Sequence, residues 1–183
     1  MKIITTLLLA SLSLAACKKS TPKPISEPLV ALGDSYKGGK VAYIYQAGDP
    51  GFDAAHQHGI IAATSDQIGA IKWDLGNNNS IGGTSQEIGT GATNTNKIIQ
   101  NLGAGAYAAK TCADYSVTEN GITYDDWVLP SLKELTKLYE NKLKIGDFPK
   151  ASYWSSTEFS DQLAGYYSFL NGGAGSALKL NTF

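Results

Sequence analysis

Four acidic residues, Asp125, Asp126, Glu158 and Asp161, bracket two tryptophan-bearing segments, Asp126-Trp127-Val128-Leu129-Pro130 and Tyr153-Trp154-Ser155-Ser156-Thr157. Carboxylates so grouped could ligate Ca²⁺, and a pair held across a sugar ring could do acid–base work on a glycosidic bond. Neighbouring carboxylates at a strand end point to opposite faces, however, so Asp125 and Asp126 read first as turn residues and the other two as solvated. His56 and His58 form an H-x-H pair whose rings share a face on an extended segment, a geometry zinc or copper accepts. With no third histidine to complete a strong site, the simpler reading is a turn histidine bonded to its own backbone. Cys112 lies on an apolar helical stripe and reads as a small buried residue rather than a nucleophile. No serine has a histidine and an acid at a spacing that suggests a triad. The expectation is a chain with no catalytic residue, no metal and no cofactor, Ca²⁺ having only the acidic residues to recommend it.

A chain without catalytic chemistry works through a surface. Residues 64–92 carry few periodic signals and many Gly, Asn, Ser and Thr, the composition of a long irregular segment that is functional or packed as turns. Trp73 lies there between charged neighbours, followed by Asn77, Asn78 and Asn79. These four residues, with Tyr166 in the last third of the chain, are the expected ligand contacts. The glycine-rich stretch from Gly33 to Lys40 is not a phosphate loop, because Asp34 stands where the first glycine is needed and Val41 follows the lysine.

The elements that must position these residues are legible in order. Val41–Tyr45 and Ile60–Ala63 are β-rich runs joined by a polar connection, an antiparallel pair. Helical spacing of Ile98, Leu102, Ala106, Ala109 and Cys112 predicts one helix from about Thr93 or Thr95 to Asp114, capped by Asn94 or Thr95. Gly103 and Gly105 fall inside it, and each costs about 1 kcal/mol against alanine, which suggests close approach to another element. A Glu119-Asn120-Gly121 turn joins two short strands. Pro130 then stops the chain, and Ser131-Leu132-Lys133-Glu134 has capping-box spacing. Leu132, Leu135, Leu138 and Tyr139 form the apolar face of the helix that follows, with Lys133, Glu134, Lys137 and Glu140 toward water. The last third is β, with an Asn171-Gly172-Gly173 turn between runs. Trp127 and Trp154 follow alternating apolar patterns and are expected in the core.

Composition limits the partners. Apolar residues make up 43% and charged residues 17% of 183, enough for one packed domain. The formal net charge is -1, which gives no basis for binding nucleic acid. All 15 basic residues are lysines, so the guanidinium forks that usually clamp sulfate or phosphate are absent. Met1-Lys2 and the short apolar run after them form a secretory leader rather than a membrane span. The run closes in Leu14-Ala15-Ala16-Cys17, which resembles the lipobox of bacterial lipoproteins. That resemblance implies cleavage after residue 16, lipidation of Cys17 and a membrane anchor in the outer membrane of the cell envelope. Residues 17–32, with three prolines, read as a lipidated cysteine and tether. Residues 33–183 read as a single domain.

Gly33-Asp34 with Gly38-Gly39, His58-Gly59-Ile60-Ile61-Ala62, Asp66-Gln67, Ile71-Lys72-Trp73, Gly91-Ala92-Thr93-Asn94-Thr95, the Asp126–Ser131 run and Tyr153–Thr157 occur in an order that resembles one bacterial surface-domain family. It is typified by the C-terminal domain of the Legionella collagen-like adhesin. The resemblance covers roughly residues 33–181. It implies an α+β fold of the C-type lectin-like, formylglycine-generating-enzyme-like kind: a small antiparallel core, two helices and long loops. It also implies an extracytoplasmic setting and, in the best-understood member, adhesion through sulfated polysaccharides. For this chain the expected ligand is a glycan or an envelope protein partner, the alternative being a structural component of an envelope complex without a small ligand. The family closes with a strand of the Val-Arg-Ala-Val-Arg type, whereas Leu180-Asn181-Thr182-Phe183 stands here, so an unpaired sheet edge is expected near that end.

Overall fold

The computed structural model describes residues 29–67, 69–76, 79–146 and 148–183. The leader, Cys17, most of the tether, Asn77 and Asn78 lie outside the described residues. The architecture is α+β, built from small antiparallel sheets and short helices.

The first sheet has strands β1 (Ser35–Tyr36), β2 (Gly39–Ile44) and β3 (Gly59–Ala63) in that order, with Val41 opposite Ile61 and a bulge between Val41 and Tyr43. Gly39 has no side chain because Trp127 and the Ala62 carbonyl crowd it: a Cβ would lie 2.9 Å from the indole and 2.5 Å from the oxygen. A two-stranded ribbon, β4 (Val117–Glu119) and β5 (Ile122–Tyr124), turns at Asn120 and Gly121, both at positive φ (51° and 78°). That backbone matches the right-handed twist of the two strands. The third sheet contains β6 (Ser152–Glu158), β7 (Leu163–Ser168) and β8 (Gly173–Leu178) in order. β8 is the edge expected near the C-terminus. The residues after it turn back: Lys72 bridges Thr182, and Ile71 and Phe183 each donate an N–H to the other's carbonyl.

The long helix expected from residue 93 to 114 is two helices, α1 (Gly91–Leu102) and α2 (Ala108–Ala113). Gly103 leaves helical space at φ 70°, ψ −143°, and Gly105 at φ 152°. The periodic apolar residues continue across the break because both helices cover the same core. The close approach expected of these glycines holds at Gly105, where a Cβ would lie 2.5 Å from Leu75. Asn94 and Thr95 are not caps. They lie buried inside α1 and bond outward: Asn94 Nδ2 donates to the Ser85 carbonyl and to Ser156 Oγ, while Thr95 Oγ1 takes the Leu129 N–H and donates to its carbonyl.

Helix α3 (Leu132–Glu140) starts on the expected capping box, with Ser131 Oγ accepting from Glu134 N and Glu134 Oε2 accepting from Ser131 N at 2.7 Å. Glu134 does not face water, being 6% exposed. Its second oxygen accepts the N–H groups of Gly89 (2.8 Å) and Gly91 (3.4 Å), fastening the irregular segment to the helix. A short α4 (Lys142–Ile145) follows. Among the described residues no helix is long and apolar enough to cross a membrane.

The core is divided. One cluster gathers Trp73, Ile81, Ile98, Tyr107, Leu129 and Trp154; the other gathers Ala42, Leu132, Leu135, Leu138, Tyr167 and Phe169.

Candidate functional site: an apolar cleft

Of the five expected contacts, Trp73, Asn79 and Tyr166 lie among the described residues. Trp73 is 0% exposed, so it is a core plug and not a stacking platform. Its indole N–H donates to the Ser155 carbonyl at 2.7 Å, and the Lys179 ammonium lies 4.8 Å from its ring centre. Asn79 is exposed, and its carbonyl accepts from Lys179 Nζ at 3.0 Å. Tyr166 is half-buried, with its ring 5.0 Å from Phe183 and lying over Gly175, where a Cβ would meet it at 2.8 Å.

The acidic residues scatter as well. Asp125, Asp126 and Asp161 are exposed, but Glu158 is turned inward with its side chain only 5% exposed. Its partner is Lys179, 0% exposed, at 2.6 Å. Glu158 also accepts the N–H groups of Ile81 (2.8 Å) and Gly82 (2.7 Å). Burial alone would raise the Glu158 pKa, but Lys179 and those two N–H groups outweigh it and hold the carboxyl below its usual range. The solvated reading of Glu158 is therefore corrected. Lys179 gave no sign in the sequence beyond its place between Leu178 and Leu180, a charge inside an apolar run. His56 Nδ1 lies 2.7 Å from Asp53 Oδ2 and His58 Nε2 3.9 Å from the same atom, all exposed. The Ala55 N–H and His56 hold Asp53 below the usual carboxylate range. No group of acidic, histidine or cysteine side chains suited to a metal ion occurs among the described residues.

What the fold does assemble is a cleft of about 440 Å³ between the two core clusters. Its walls are β3 (Ile60, Ile61, Ala62), α2 (Ala108, Thr111, Cys112), the Trp127–Pro130 segment, α3 (Leu135, Leu138) and the start of β6 (Ser152, Tyr153, Trp154). The volume is that of a small-ligand or peptide-residue pocket. Aromatic groups stand on both sides. Phe169 lies 5.1 Å from Phe148 and 4.7 Å from Tyr153, and Phe183 caps Trp154 at 4.4 Å between ring centres. Trp127, expected in the core, is half-buried at the rim, 5.4 Å from Tyr115, and donates its N–H to the Tyr124 carbonyl.

The polar groups of the cleft are few. Tyr153 Oη donates to Asp66 Oδ2 at 3.0 Å. Burial, then the Asp66 charge and hydrogen bond, push the Tyr153 phenol up. Burial pushes the Cys112 thiol up to about 12, so it is inert as a nucleophile at neutral pH. The cleft could have been suspected from the apolar pairs Ile60-Ile61 and Tyr153-Trp154, whose adjacent residues cannot all face one sheet side.

Compared with models of known protein families and with curated proteins, the chain has no significant match.

Proposed function

We propose that this chain is a lipid-anchored bacterial cell-envelope protein whose single domain binds an envelope protein partner without catalysing a reaction. The observation that carries the reading is the cleft of about 440 Å³ lined by apolar and aromatic side chains, the composition of a recognition pocket. Glu134 is held by the capping box and the Gly89 N–H, Asp66 by Tyr153, and the Cys112 thiol is raised to about 12. A glycan ligand loses its main support with Trp73 at 0% exposure, because sugars stack on exposed rings. A protein partner keeps its support, since aromatic and aliphatic side chains in a desolvated pocket are what binding hot spots require. The α+β arrangement of small antiparallel sheets with a long irregular segment, with the ordered motifs from Gly33 to Thr157, supports a C-type lectin-like variant.

Two experiments test this reading. Metabolic labelling with a fatty acid should tag the wild-type chain and not Cys17→Ala; equal labelling refutes the anchor. A photocrosslinker at Ile61, in the cleft wall, should capture a discrete envelope protein in cells, and Ala151→Trp, which fills the cleft from an exposed position, should abolish the adduct. The same crosslinker at Leu143, 91% exposed and outside the cleft, is the control. Equal adducts from both positions, or none from Ile61, refute the binding reading.

A further inference from the structure

β3 and β6 are both edge strands. Among the described residues β3 pairs with β2 alone and β6 with β7 alone. The later half of β6 is covered, since Ser156 N donates to the Pro130 carbonyl and the Ser155 carbonyl accepts from Trp73. The first half, Ser152–Trp154, instead forms one wall of the cleft while β3 forms another. An edge strand presents a row of backbone N–H and C=O groups with no ladder partner, a template for one more strand. Here two such edges border one apolar cleft.

That arrangement discriminates between occupants. A hydrocarbon ligand would match the side chains but would seal edge N–H and C=O groups away from water without partners, a desolvation cost for each group. An extended peptide matches both, supplying its own N–H and C=O groups to the edges and alternate side chains to the pockets. The tether is a poor occupant, because the prolines at 22, 24 and 28 lack the N–H that a ladder needs. Charge narrows the choice further. The acidic residues lining the cleft are Asp66, Asp126 and Glu134, and among the described residues no lysine lines it. Glu134 is occupied by backbone donors, which leaves Asp126 and the capacity of Asp66 beyond its bond from Tyr153, both residues exposed, to meet a basic residue.

We infer that the cleft is an acceptor slot for a β-strand donated by another polypeptide, with apolar residues at alternate positions and lysine or arginine flanking them. The inserted strand lines up along the β3 and β6 edges and extends the sheets. This inference rests on the binding reading above and specifies its partner.

The test uses the full chain in detergent and a mixture of acetylated, amidated heptapeptides Lys-x-Thr-x-Thr-x-Lys, with x drawn from Val, Ile, Ala and Phe. Binding is followed by the fluorescence of the cleft tryptophans, and cross-strand NOEs should link the bound peptide to Gly59–Ala63 or Ser152–Trp154. The same mixture N-methylated at each x should bind at least tenfold more weakly. Asp126→Asn, an exposed change that leaves the core alone, should weaken binding severalfold at low salt and little at high salt. Equal binding of the N-methylated mixture, stronger binding of laurate than of peptide, or no binding of the unmethylated mixture overturns the strand inference. If crosslinks from Ile61 to an envelope protein persist in any of those cases, the binding reading itself survives. Concentration-dependent dimerisation abolished by Ile61→Lys would make the occupant a second copy and overturn the inference too.

Discussion

Replacing Lys179 by methionine would strand a buried charge. The substitution keeps most of the side-chain volume and leaves the Glu158 carboxylate, 5% exposed, without its cation. Removing one member of a buried pair typically costs about 3–5 kcal/mol, because the remaining charge is stranded. Glu158 would keep the N–H groups of Ile81 and Gly82, which puts the loss near the lower end, about 3 kcal/mol. Loss of the ammonium over the Trp73 ring adds roughly 0.5–1 kcal/mol. In a domain of this size each kcal/mol lowers the melting temperature by about 2–4 °C, so the expected drop is about 7–16 °C. Urea titration followed by tryptophan fluorescence reads the same quantity, and Lys179→Met/Glu158→Gln should recover at least about 1 kcal/mol of it by removing the stranded charge. The pH dependence has a definite sign. Glu158 is held below its usual pKa, so its contribution is complete above the unfolded carboxyl value, about 4.3, and is lost as pH falls through the lower folded one. Wild type and Lys179→Met should therefore converge in acid. A loss below about 1 kcal/mol at neutral pH, the range of an exposed ion pair, or a difference that does not change between pH 7 and 3, would refute the reasoning.

Trp73→Phe should cost about 2 kcal/mol in the same titration, since it shrinks a fully buried side chain and leaves the Ser155 carbonyl without its donor. Gly172→Ala should destabilise more than Gly103→Ala by calorimetry: both sit at positive φ (76° and 70°), but only at Gly172 would a Cβ meet a side chain, Tyr139 Oη at 2.5 Å. The cost at Gly103 is expected to be about 1 kcal/mol. Cys112, half-buried in the cleft wall with its thiol raised to about 12, should react with a disulfide reagent at pH 8 roughly tenfold or more slowly than a free thiol, and labelling at the free-thiol rate would refute the raised value. Glu134→Ala should cost more than an ordinary cap, above about 1 kcal/mol, because Gly89 and Gly91 lose their acceptor along with Ser131.

Local signals carried most of the elements. The Ser131–Glu134 box, the Asn120-Gly121 turn and the strand runs at 41–45 and 60–63 are decided within a few residues, and each is present in the fold. The helix of residues 93–114 was misread because apolar spacing reports which face is buried and not whether the backbone is continuous, and the glycines at 103 and 105 decided that instead. The burial of Trp73 was hidden for a different reason. A tryptophan between charged neighbours looks exposed only if its segment lies on the surface, whereas this segment is packed under β6 by a hydrogen bond to Ser155 across 82 residues. The cleft was the least legible feature, since its walls come from β3, α2, α3 and β6.

The two inward glutamates also govern when the fold can form. Residues 79–91 contain no strand and only the start of a helix, and their backbone is fastened by Glu134, 43 and 45 residues downstream, and by Glu158, 76 and 77 residues downstream. A chain emerging from its N-terminus therefore carries this segment unfastened until nearly the whole domain has been delivered, and such distant closures slow folding. The first half of the protein has to wait for the second, which keeps the growing chain open along its length and concentrates the final, cooperative step in the last strands to arrive.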